Sequence, residues 1–89
     1  AETTEQDKVN WFQSVKDKIK EDDNVMAQVE ANSTEQVMHG DFPRAVEKAI
    51  LDSMTSHGEL ARESLEDPSI QRQLMHLLLR QLVQESASP

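Results

Sequence analysis

The sequence predicts an all-α fold, a compact bundle of about five helices with two long C-terminal helices as its scaffold. Three observations carry that expectation. Apolar residues recur at steps of three and four along most of the chain, and capping residues punctuate the periodic stretches. No alternating run rich in Val, Ile or Thr suggests a strand. At 89 residues, with two glycines, three prolines and 36% apolar residues, the chain suits one helical domain spanning 1–89. Trp11, Phe12 and Phe42 are the only aromatics, so the core must come from Leu, Ile, Val, Met and Ala.

The elements follow in order. A first helix is predicted from about Thr4 to Glu21, because Trp11, Phe12, Val15 and Ile19 form one stripe. Asp22, Asp23 and Asn24 break it and offer caps to a second helix, Val25 to Ala31, with Val25 and Val29 on a common face. Ser33-Thr34-Glu35-Gln36 has the form of a capping box and opens a third, short helix. Gly40 is expected to end it in the left-handed conformation. Asp41 then stands as the cap of a fourth helix, with Pro43 in a first turn where its missing N–H costs nothing. The stripe of this helix runs from Phe42 through Val46, Ala49, Ile50, Ser53, Met54, His57, Leu60 and Ala61 to Leu65 without losing phase, which predicts one long helix to about Glu66. Asp67-Pro68 repeats the cap-and-proline start, and the last helix is predicted to about Gln84. Its inner stripe is Ile70, Leu74, Leu77, Leu78 and Leu82, widened by Met75, Leu79 and Val83. Ser86 to Pro89 reads as a frayed end.

Composition excludes several kinds of chemistry. With no cysteine, disulfides, thiolate metal sites and cysteine nucleophiles are ruled out. The two glycines, Gly40 and Gly58, stand too far apart for a P-loop or GxSxG element and are too few for GxGxxG. The most apolar stretch, Leu74 to Val83, is interrupted by His76, Arg80 and Gln81 and falls short of the roughly 18–20 residues of a membrane span. The polar, acidic N-terminal residues are the opposite of a signal peptide, so a soluble, cytoplasmic protein is expected. A formal net charge of −8 opposes direct binding to nucleic acid, since affinity for that polyanion rests first on Lys and Arg. Lys16, Lys18 and Lys20 are followed at once by Glu21, Asp22 and Asp23, and read as a solvated helix face.

Few residues are candidates for a site. His39, His57 and His76 share no helical turn and no HExxH spacing, so no metal centre is expected, and His57 reads as a core or boundary residue. Leu51-Asp52-Ser53-Met54 is similar to the attachment motif of acyl carrier proteins, in which the serine takes a phosphopantetheine arm at the exposed start of a helix. Here the helical pattern runs straight into Ser53 from Pro43, and Leu51 stands where that family has glycine. A stand-alone carrier, or an adaptor domain, is the alternative reading.

A linked string of motifs carries a more specific resemblance. Asn32-Ser33-Thr34-Glu35-Gln36, Gly40-Asp41-Phe42-Pro43-Arg44-Ala45, Ala49-Ile50-Leu51-Asp52-Ser53, His57 and Asp67-Pro68 together resemble the C-terminal helical region of type I restriction enzyme R subunits, over roughly residues 23–84. Those subunits are motors that couple ATP-driven DNA translocation to endonuclease cleavage. The resemblance implies a fragment of a larger subunit that holds none of its nuclease or helicase motifs and no cofactor. It implies a module that helps dock the motor onto the methyltransferase core. Ser33, Gly40, Asp41, Pro43, Asp67 and Pro68 are expected as structural punctuation, and Met75, Leu79 and Val83 as the face that meets a protein partner.

Overall fold

The computed structural model describes residues 3–87, which form six α-helices and no strand. Helix α1, Glu5–Lys20, begins at Thr4, whose hydroxyl accepts from the Asp7 amide while the Asp7 carboxylate accepts from the Thr4 amide. It turns Trp11, Val15, Ile19 and the stem of Lys16 inward. Helix α2, Asp23–Ala31, is capped by Asp22, which accepts from the Val25 amide at 3.1 Å, and buries Val25 and Val29. Helix α3, Thr34–Met38, opens on a reciprocal pair in which the Gln36 amide donates to Ser33 Oγ and the Ser33 amide donates to Gln36 Oε1. Only Val37 of this short helix is buried.

Helices α4, Phe42–Asp52, and α5, Met54–Glu66, occupy the stretch expected to be one helix. The chain turns at Ser53 and kinks again at His57, where φ is −140° and ψ is 55°. Ser53 donates its hydroxyl to the Ile50 carbonyl at 2.7 Å, which gives the backbone a local alternative to the helical ladder. Thr55, Ser56, His57 and Gly58, at the start of α5, are weak helix formers, and the second kink falls among them. The unbroken phase runs through residues the fold leaves outside the core: Met54 is 40% exposed and His57 only half-buried.

Helix α6, Pro68–Ala87, lies chiefly against α5 and α2, while α1 packs on α4, α2 and α5. Its inward arc is Leu74, Met75, Leu78, Leu79 and Leu82. Ile70 and Leu77, expected in the core, are exposed by 42% and 48%, whereas Met75 and Leu79 fall to 9% and 1%. The helix is thus rotated from the orientation its leucines suggested, because the neighbours it rests on lie on the Met75–Leu79 side. Ser86 and Ala87 continue the helix, while Ser88 and Pro89 lie outside the described residues. One apolar cluster runs through all six helices, with Phe42, Val46, Ile50, Leu78 and Leu82 fully enclosed. No helix among the described residues is long and apolar enough to cross a membrane.

Candidate functional site

The residues of the motif string lie mainly at the joints between helices. Gly40 follows α3 and does not take the left-handed conformation expected of it, and His39 is the helix C-cap instead. A Cβ there would stand 3.0 Å from Gln28 Oε1, so a larger residue would require Gln28 to shift. Asp41 likewise does not cap α4, because its backbone is already helical at φ −84° and ψ −8° and its carboxylate makes no bond to the first turn. Instead the carboxylate accepts from Gln28 Nε2 at 2.9 Å and from Asn24 Nδ2 at 3.3 Å. The Asp41 amide donates back to Gln28 Oε1 at 3.4 Å. These bonds tie α2 to the entry of α4 and place Phe42 fully inside the core, with Pro43 in the first turn. Gln28 belonged to no motif and no apolar stripe, so nothing in the sequence marked it.

Ser53 is the second joint. Its hydroxyl is 2.8 Å from the donating Trp11 Nε1, and both side chains are buried, Ser53 to 4% and Trp11 to 7% exposure. With one hydrogen bond donated to Ile50 and one accepted from Trp11, the hydroxyl locks the α4–α5 turn onto α1. A carrier serine must reach a transferase from solvent, and this one does not. Asp67 forms the third joint, accepting from the Ser69 amide at 2.9 Å and the Ile70 amide at 3.4 Å as α6 begins at Pro68.

Two charged features were not anticipated. Lys16 sits 7% exposed with its ammonium 2.9 Å from Glu85 Oε2, and it also donates to Gln81 Oε1 at 3.2 Å. Lys20 meets the other Glu85 oxygen at 2.8 Å. Hydrogen bonds from Lys16 and then Lys20 hold the Glu85 carboxyl below its ordinary range, and Glu85 raises the Lys20 ammonium above its own. This clasp fastens the end of α1 to the end of α6. Local sequence predicts a solvated face for the basic run, whereas Lys16 and Lys20 meet Gln81 and Glu85, each 65 residues away. At the opposite end of α1, the Thr4 bonds lower the Asp7 carboxyl, with a lesser contribution from nearby His57.

The histidines do not converge. His39 and His76 are exposed, and His57 at the kink has Nδ1 3.1 Å from Ser56 Oγ. No group of three or more His, Asp or Glu among the described residues is arranged to hold a metal ion.

The anticipated partner face divides. Contrary to that expectation Met75 and Leu79 pack in the core, and of the three only Val83, at 38% exposure, reaches the surface. It borders a shallow depression of about 270 Å³ with Thr34, His76, Arg80 and Gln84. The large apolar side chains exposed on α6 are Ile70, Leu77 and Val83, and elsewhere they are Val9, Leu51 and Met54. Comparison with protein-family models, with curated proteins and with solved structures gives no match to this chain.

Proposed function

We propose that this chain is a non-catalytic assembly module of a type I restriction enzyme R subunit, which helps to dock the motor onto the methyltransferase core. The supporting observation is the use made of the motif string: Gly40, Asp41, Phe42, Ser53 and Asp67 all serve contacts within the fold. A string whose polar residues build joints while Phe42 fills the core is what a structural module requires. In this reading the segment contributes no catalytic or cofactor-binding group, and works in the cytoplasm through protein contacts rather than by gripping DNA. ATP hydrolysis and cleavage belong to other parts of the parent subunit.

The test is the reading frame in which these 89 codons lie. Helicase and nuclease motifs upstream in the same frame are expected. A frame that opens and closes around this segment alone would sink the proposal.

A further inference from the structure

Helix α6 carries a solvent face unlike the rest of the molecule. The chain has 17 acidic residues, and none of them falls between Pro68 and Gln84. That stretch holds Arg72 and Arg80, so with seven of the nine Lys and Arg elsewhere the rest of the chain carries a net −10. Arg72, His76 and Arg80 follow at steps of four, which sets them along one exposed side of the helix. Neither arginine forms an ion pair with any other described residue, as is true also of Arg44, Lys48 and Arg62, so both are available to a partner's carboxylates.

The same face presents apolar side chains. Ile70 and Leu77 lie two turns apart, exposed by 42% and 48%, with exposed Gln73 between them and the basic row. Val83 closes the far end beside Arg80. Free cations interleaved with large exposed apolar groups match a protein surface that offers carboxylates around apolar anchors. Nucleic acid fits less well. A phosphate backbone has nothing to place on Leu77 and Ile70, and two arginines against a remainder of −10 give few counterions to release.

We propose that the outward face of α6, with Ile70 and Leu77 along one edge and Arg72, His76 and Arg80 along the other, docks an acidic amphipathic helix of a partner protein. The inference rests on the docking reading above and names the chemistry of the contact. It also moves the contact from Met75 and Leu79 to the opposite side of the same helix.

The test pairs two variants of equal charge change. R72E/R80E reverses the proposed face, and R44E/K48E reverses two exposed cations on α4. Binding of each is measured by surface plasmon resonance to immobilised cognate methyltransferase core and to a Leu- and Glu-rich amphipathic helical peptide, with circular dichroism confirming that both variants fold. R72E/R80E is expected to weaken binding to both probes by about tenfold or more, because like charges then face each other, while R44E/K48E changes it by no more than about twofold. Equal losses in the two variants, or no loss in R72E/R80E, overturn the inference while leaving the docking reading in place. Peptide binding that depends on Arg72 and Arg80, with no binding to the core, supports the acidic-helix face and overturns the docking reading. Retention of duplex DNA through Arg72 and Arg80, without peptide binding, overturns the inference in favour of a polyanion site.

Discussion

Replacing Ser53 with alanine isolates the joint between α1 and the α4–α5 turn. The substitution removes the oxygen that accepts from Trp11 Nε1 at 2.8 Å, in a site where Trp11 is 7% exposed. The Ile50 carbonyl keeps a partner, since the Ser53 amide also donates to it at 3.0 Å. The cost is therefore that of one stranded buried donor, about 1–3 kcal/mol. For a domain this small, each kcal/mol moves Tm by about 4–8 °C, so S53A should melt at least about 4 °C below the parent. W11F removes the donor as well as part of the ring, and in that background S53A should cost almost nothing. A double-mutant cycle by urea denaturation, followed by circular dichroism because W11F removes the only tryptophan, reads the difference directly. A coupling of about 1 kcal/mol or more is expected. Additivity within about 0.5 kcal/mol would refute the account of this joint.

Three further outcomes follow from the same geometry. Leu79→Ala should cost about 2–5 kcal/mol as a buried leucine, and Leu77→Ala no more than about 0.5 kcal/mol as an exposed one; equal losses in melting experiments would show that α6 has been given the wrong rotation. Glu85 has a folded-state pKa depressed from 4.5 by Lys16 and Lys20, so its contribution is complete above 4.5 and is lost as pH falls through the lower folded value; Lys20, raised from 10.5 by Glu85, contributes below 10.5 and loses that contribution as pH rises through its higher folded value. Stability difference profiles for parent and E85Q should therefore be level between these limits and close at both ends, and a constant difference across the whole range would count against the clasp. Asp41→Ala should cost about 0.5–1.5 kcal/mol, and the same again should not be lost when Gln28→Ala is added, because the two share one set of hydrogen bonds; fully additive losses in thermal melts would point to separate roles.

Helix content and most helix starts were legible because they depend on local signals. Period marks an amphipathic helix, and Asp22 or Ser33 announces its start within a few residues. What could not be read depends on contacts far apart in sequence. The turn at Ser53 is held onto α1 by Trp11, 42 residues away, a contact that the continuous stripe through it does not reveal. Asp41 has the sequence position of a cap, yet Gln28 and Asn24 claim its carboxylate. On α6, seven apolar positions between Leu74 and Val83 leave the sequence unable to choose which arc faces in, and packing on α5 and α2 makes the choice. Met75 and Leu79, expected at the surface, therefore pack inward, while Ile70 and Leu77 face out. The lack of any acid from Pro68 to Gln84 is the sequence feature on which the proposed contact rests.

Isothermal titration of the chain into cognate methyltransferase core tests the central claim most directly. The account predicts saturable heat with a fixed stoichiometry and an affinity that falls as salt is raised, because screening weakens the arginine contacts of α6. An absence of binding heat across the titration, with the chain shown to be folded, would contradict it.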